Sequence, residues 1–256
     1  MEIPALDVRD QVALVTGAAR GIGRSLAVGL AHYGADVAVA DLPGSMAEAE
    51  EVAAEVRSLG RRSVAVPVDV RDLGRIDGMV AQTVAALGRI DILVNNAGVQ
   101  VAKPALEVTE ADWDAVLDVD LKGVFFCSQR VGRVMKEQGR GSIVSIASQN
   151  GVIGYYNRAA YCSAKAGVVN LTRVLALEWA PYGIRVNAVG PTFVRTALGE
   201  QTLSNPEFRR DILSRIPLGR VAEPEEIIGA VVFLASPAAS MVTGQTLLVD
   251  GGWTAQ

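Results

Sequence analysis

The chain has 256 residues, half of them hydrophobic and a fifth charged, with a formal net charge of −4. That length can bury a sizeable core without disulfide staples, and the mild acidity, with no Lys/Arg cluster longer than two residues, argues against nucleic acid or an anionic membrane as the main partner. No apolar run reaches the ~20 residues of a membrane span, and the opening residues carry neither a basic flank nor an apolar signal core, so a cytoplasmic protein is expected.

From the first residues onward, short β-branched runs alternate with helical stretches. The strand Val12–Thr16 runs into Gly17-Ala-Ala-Arg20-Gly21-Ile22-Gly23 and a helix over Gly21–Tyr33. Glycines allow a tight turn and a close backbone approach to a pyrophosphate, and the helix N-terminus that follows offers N–H groups and a positive dipole end to that anion. His32, the only histidine, falls in this helix near its end, which leaves neither a Ser-His-Asp triad nor a His/Cys metal cluster. No metal is expected.

The second strand, Asp36–Asp41, ends in an acid. A carboxylate there can accept hydrogen bonds from the adenosine ribose hydroxyls and would repel a 2′-phosphate, which selects NAD over NADP. Arg20 pulls the other way, because a guanidinium near this ribose could hold the phosphate. Asp41 carries more weight because its charge would oppose the phosphate directly.

Further along come a helix over Met46–Leu59, a strand over Ser63–Val68, a helix over Leu73–Leu87 and a strand over Ile90–Val94. A long helix over Trp113–Glu137, a strand over Ser142–Ala147, a second long helix over Arg158–Ala180 and a strand over Ile184–Val189 follow, and a helix over Pro224–Leu234 and a strand over Thr246–Val249 close the pattern. Several strands are apolar along most of their length, as in parallel sheets covered on both faces. The pattern predicts an α/β fold with a doubly wound, seven-stranded parallel sheet, built as one domain over residues 1–256. Cys127 and Cys162 lie in helical stretches without CxxC context and read as small fillers. Between Pro191 and Gly219 a polar, helix-prone insert containing Thr202 and Pro206 follows a strand C-terminus, where open α/β sheets bind ligands; a substrate lid over 191–219 is expected.

Tyr161 and Lys165 stand four apart in the second long helix and therefore share one face. A fixed ammonium favours phenolate over phenol. At an effective dielectric of about 20, two unit charges ~4 Å apart interact by roughly 4 kcal/mol. That can bring a phenol that titrates near pH ~10 down toward neutrality, where it suits proton exchange with an alcohol.

Taken together, Thr16-Gly-Ala-Ala-Arg-Gly-Ile-Gly23, Asp69-Val70, Asn95-Asn-Ala-Gly98, Ser148, Tyr161-x-x-x-Lys165 and Gly190-Pro191 resemble the motifs of the short-chain dehydrogenase/reductase family, in its order and over almost the whole length. The resemblance implies that Asp69 and Val70 contact the adenine. It implies that Asn96, Ala97 and Gly98 line the cofactor and support the central strand, and that Ser148 stabilises charge on the substrate oxygen. Lys165 would also hold the nicotinamide ribose, and Pro191, Val194 and Thr196 would seat the carboxamide. Asp120 departs from the family, which usually carries asparagine there to hold a water linking the lysine to solvent. An ionised Asp120 cannot donate; a carboxylate near Lys165 could maintain the proton chain or raise the lysine pKa. Thr192 stands where glycine is common.

The implied activity is NAD-dependent interconversion of a secondary alcohol and its ketone, with Tyr161 as general base and acid. The chain looks like family members acting on sugars and polyols, and Gln149, Asn150, Tyr155, Asn157 and Arg195 are candidate polar residues near the substrate. The alternatives are a 3-oxoacyl thioester reductase using NADPH and a non-catalytic dinucleotide-binding sensor. The resemblance also implies a homotetramer built by the two long helices and the last strand.

Overall fold

The computed structural model describes residues 4–196 and 204–255. Seven parallel strands form one sheet among these residues: β1 Val12–Thr16, β2 Asp36–Asp41, β3 Ser63–Pro67, β4 Ile92–Asn95, β5 Gly141–Ile146, β6 Ile184–Pro191 and β7 Thr246–Val249. Their order is β3-β2-β1-β4-β5-β6-β7. The chain therefore reverses direction across the sheet between β1 and β4, and their carboxyl ends diverge into the crevice where doubly wound sheets bind ligands. The doubly wound, seven-stranded parallel sheet read from the sequence is the observed one.

Alternation along the strands fixes which helices cover which face. Ala13, Val15, Val37, Val39, Ile92 and Val94 point to one side and pack with α1 (Gly21–His32), α2 (Met46–Ser58) and α8 (Ile228–Ala235). Val12, Leu14, Ala38, Ala40, Leu93 and Ile143 point to the other and meet α3 (Leu73–Leu87), α5 (Val124–Gln138) and α6 (Ala159–Trp179). Every residue of β1 and β4 is buried, whereas the edge strands β3 and β7 are mostly half-buried. That difference is why the central strands read as continuous apolar runs.

Local signals set several boundaries. Asp72 caps α3 by accepting the Gly74 and Arg75 N–H groups, and Gly88, at φ 90°, closes it in the left-handed region. Thr109 and Asp112 form a capping box that starts α4 (Glu110–Leu117). The expected single helix Trp113–Glu137 is instead α4, a π-helical stretch over Asp118–Gly123, and α5. The wider turn rotates Asp120 inward until it is fully buried.

Of the expected lid over 191–219, residues 197–203, and with them Thr202, lie outside the described residues. The remainder contains α7 (Pro206–Arg215), capped by the Asn205 side chain. Phe208, Ile212 and Leu213 of this helix pack with Tyr155, Phe193 and Trp253. The Trp253 ring stacks on Phe193 with centroids 5.9 Å apart and meets Tyr155 edge-on at 5.7 Å. The Tyr155 hydroxyl donates to Asp211 of α7 at 3.0 Å, and burial, together with that carboxylate, pushes its pKa up to about 12. Trp253→Ala is expected to cost about 3–5 kcal/mol, the usual loss for a buried aromatic. Urea unfolding checks this; a change below about 1 kcal/mol would mean the ring is not a structural anchor.

Candidate active site

Two groups of residues meet at the carboxyl ends of the strands. The first is built on the β1–α1 turn. Gly17 and Gly21 sit at φ 63° and 57°, in the left-handed region. A Cβ on Gly17 would stand 2.9 Å from Ala97 Cα, and one on Gly23 would stand 2.0 Å from Gly17 O, so neither position tolerates a side chain without moving backbone. The turn is laced to the end of β4. Asn96 Nδ2 donates to the carbonyls of Thr16 and Gly17 at 3.0 and 2.9 Å, and Thr16 Oγ1 accepts from the N–H groups of Asn96 and Ala97 at 3.1 and 3.2 Å.

Asp41, at the end of β2, accepts the Ala19 N–H at 2.8 Å and the Leu42 N–H at 2.7 Å, one on each carboxylate oxygen. Its charge therefore braces the glycine turn from the side. Arg20 is exposed and begins α1 without contributing a side-chain cap, and the first turn of α1 carries no acid. A glycine cradle closed to any Cβ, together with an uncapped helix N-terminus free of carboxylates, fits a pyrophosphate. Ile22 packs partly buried against the core beneath. A Cβ on Gly21 would meet Thr196 Cγ2 at 3.5 Å, which brings the segment after β6 to the same turn. Val194 is held there by a bridge to Ala222, and Pro191 is the last residue of β6, paired with Val249.

Asp69 lies just beyond β3. Its carboxylate pairs with Arg71, with the closest contact at 2.6 Å, and the Arg71 hydrogen bond holds its pKa below the usual carboxylate value. The Val70 side chain is buried against Gly123.

The second group surrounds Lys165, which is 3% exposed. Its Nζ donates to Ile146 O at 2.9 Å and stands 3.1 Å from Asp120 Oδ2. That approach is close but oblique, and Oδ2 accepts no aligned hydrogen bond. The attraction is therefore mainly coulombic, between two groups withdrawn from water. The other oxygen, Asp120 Oδ1, accepts the Val99 N–H at 2.7 Å, which ties the site to the Asn96–Gly98 segment. Burial works against the Lys165 ammonium, but Asp120 and Tyr161 outweigh it and its pKa is raised above the ordinary 10.5. Lys165 Nζ lies 5.6 Å from the Tyr161 ring centroid, so the two side chains do share a helix face.

Ser148 follows β5 and is buried, its Oγ accepting the Asn150 N–H at 3.1 Å. The end of β6 runs beside it: a Cβ on Gly190 would stand 3.3 Å from the Ser148 carbonyl carbon. Gln149 is 1% exposed, and neither its amide oxygen nor its amide nitrogen has a hydrogen-bond partner among the described residues; the same holds for Asn150 Oδ1 and Thr192 Oγ1. Asn157 is exposed and occupies the left-handed region at φ 57°. Arg195 is ion-paired with Glu223 at 2.8 Å. The sequence reading passed over Arg158, which is buried at the start of α6.

This arrangement brings a glycine-rich turn at a helix N-terminus, a serine hydroxyl, a phenol and a charged lysine to one end of the sheet. Comparison with known proteins agrees with it. A family model described as enoyl-(acyl carrier protein) reductase matches residues 17–254. The NAD-dependent glycerol dehydrogenase of Listeria innocua is 40% identical over 97% of this chain and 95% of its own length. A 3-oxoacyl-[acyl-carrier-protein] reductase of Synechocystis is 43% identical over 94% of this chain and 96% of its own. Among solved structures, a short-chain type dehydrogenase/reductase from Mycobacterium marinum superposes with a TM-score of 0.93 at 37% identity, covering 98% of each chain. A gluconate 5-dehydrogenase from Burkholderia cenocepacia in complex with NADP and tartrate superposes with a TM-score of 0.94 at 36% identity, also covering 98% of each chain.

Proposed function

The chain belongs to the short-chain dehydrogenase/reductase family, an oxidoreductase acting on CH–OH groups with a nicotinamide dinucleotide, and from that premise we propose that it interconverts a sugar- or polyol-type secondary alcohol and its ketone using NAD. The observation that carries this reading is the buried Lys165, held charged by Asp120 on the same helix face as Tyr161.

The Gly17–Gly23 turn and the α1 N-terminus hold the pyrophosphate, and Asp41 takes the adenosine ribose. Asn96, Ala97 and Gly98 line the cofactor, and Pro191, Val194 and Thr196 seat its nicotinamide end. The bound dinucleotide supplies the two-electron acceptor. Tyr161 takes the hydroxyl proton of the alcohol. Lys165 stabilises the phenolate from which that transfer starts, and Ser148 donates to the substrate oxygen as charge changes there. Asp120 acts as a positioning residue that keeps Lys165 an ammonium at the pH of the reaction. The chain works as one catalytic domain in the cytoplasm, with 191–219 as a substrate lid, and assembles as a homotetramer. Among the described residues no helix is long and apolar enough to cross a membrane.

NADH formation from NAD with a panel of polyols, sugars and simple secondary alcohols tests the reading. Turnover of at least one class, with higher kcat/KM for NAD than for NADP, is expected. Asp41→Asn keeps one acceptor and removes the charge, and it is expected to reduce the preference for NAD by about tenfold, the worth of a charged hydrogen bond. Higher efficiency with NADP in the unsubstituted protein overturns the assignment of Asp41. A 3-oxoacyl thioester reductase is the second reading, favoured by the Synechocystis relative; faster turnover of a 3-oxoacyl thioester with NADPH than of any alcohol with NAD would establish it. Binding of NAD without turnover of any substrate would leave a dinucleotide-binding sensor.

A further inference from the structure

Arg158 is 5% exposed, and among the described residues no carboxylate lies within ion-pair distance of it. Among the described residues its guanidinium makes one hydrogen bond, from Nη1 to its neighbour's carbonyl, Asn157 O, at 3.2 Å. Nε and Nη2 make no hydrogen bond to a described residue, and neither is among the sealed side-chain atoms, so both keep some contact with solvent. The ionisable groups in charge reach are Tyr155, Cys162 and Tyr161, none of them a carboxylate, and burial holds the Arg158 pKa below its ordinary value.

A fold-supporting arginine looks different. Arg185, also partly buried, donates to the carbonyls of Leu234, Ala235, Ser236 and Val242 and is satisfied by the chain. Arg158 leaves most of a five-donor fork unused in a place where leaving a cation unpaired is costly. Its position is informative as well. It immediately precedes α6, three residues before Tyr161, and lies in charge reach of that phenol and of Tyr155, whose ring packs on Phe193 just beyond β6. A guanidinium fork is matched to a carboxylate, which it holds by two parallel N–H···O bonds.

We infer that Arg158 is the anion-recognition residue of the substrate site, so that the substrate is a hydroxy acid of the sugar-acid type, carrying a carboxylate away from the carbon that is oxidised. This deepens the reading of the same site as an alcohol dehydrogenase and rests on it. It separates the substrate from neutral polyols, which offer nothing to a buried cation.

Paired substrates test it. Four- to six-carbon aldonates are compared with the alditols of matching configuration, in wild-type protein and in Arg158→Met. The aldonate is expected to be the better substrate, with kcat/KM falling about 100-fold in the variant, as for truncation of a buried charge pair, while the alditol changes little. Arg158→Lys, which keeps the charge and loses the fork, should fall between them. Equal losses on both substrates would make Arg158 structural, and an alditol preferred by the wild type would overturn the inference.

Binding to the NADH complex, with tartrate and threitol as probes, gives a readout that does not need turnover. Tighter tartrate binding that disappears in Arg158→Met supports the anion site even if no alcohol is oxidised, in which case the dehydrogenase reading fails and the site does not. Threitol binding as tightly as tartrate contradicts the anion site whatever the activity. If Arg158→Met does not fold, the same comparisons are made with Arg158→Lys and Arg158→Gln, where an unchanged tartrate preference in both sinks the inference.

Discussion

Tyr161→Phe is expected to lower kcat for alcohol oxidation by about 10³-fold or more, within the range that a positioned general base contributes. The variant keeps the ring, which packs beside Val116, Ala160 and Ala164, and so removes one oxygen without opening a cavity. Cofactor affinity should stay within about fivefold, the worth of one neutral hydrogen bond. A variant that binds NAD, melts like the wild type and does not turn over places the loss in the chemical step. Ser148→Ala should cost about 10²–10³-fold, the usual effect of losing one donor to a developing oxyanion. A Tyr161→Phe variant with near-normal kcat would remove the phenol from the mechanism.

The second large effect concerns Asp120. Asp120→Ala leaves the Lys165 ammonium buried without its partner and the Val99 N–H without its acceptor. Breaking a buried pair in this way costs about 3–5 kcal/mol, which for a chain of this size lowers Tm by about 10 °C. Asp120→Asn is milder, because its carbonyl can still accept from Val99. Without the carboxylate, burial acts on Lys165 with less opposition, so its pKa falls.

The sign of the pH effect follows from the raised pKa of Lys165 in the folded protein. The stability that this pair contributes is fully present below the ordinary lysine value of 10.5 and is lost as pH rises through the higher folded value. Activity that needs the ammonium should therefore decline at lower pH in Asp120→Asn than in the wild type. Alkaline pH–rate profiles of the two proteins check this. Coincident alkaline limbs and equal rates would make Asp120 incidental to the chemistry.

Much of this was readable in the residues because the physics was local. The strands Val12–Thr16, Asp36–Asp41 and Thr246–Val249 have the expected bounds, and the first two are buried along almost all of their length, so composition alone marks them. Tyr161 and Lys165 share a face because helical spacing guarantees it. What could not be read depends on contacts between distant segments. β6 continues through Gly190 and Pro191 because Leu248 and Val249 of β7 pair with them. The π-helical stretch over Asp118–Gly123 has no local signature; Asp120 is turned inward toward Val99 on one side and Lys165 on the other. The ion pair that Asp69, which the family resemblance assigns to the adenine, makes with Arg71 is likewise a contact that no motif announces. Arg158 is only the first residue of the expected helix Arg158–Ala180 until its burial and its lack of a carboxylate partner among the described residues are seen together.

A structure of the protein with NAD and its ketone or alcohol bound tests the central claim most directly. The substrate oxygen should lie within about 2.6–3.2 Å of both the Tyr161 hydroxyl and Ser148 Oγ, as proton transfer and charge stabilisation require, with Lys165 still paired to Asp120. An oxygen seated away from Tyr161, or a Tyr161 hydroxyl turned out of the crevice in the complex, would contradict the account.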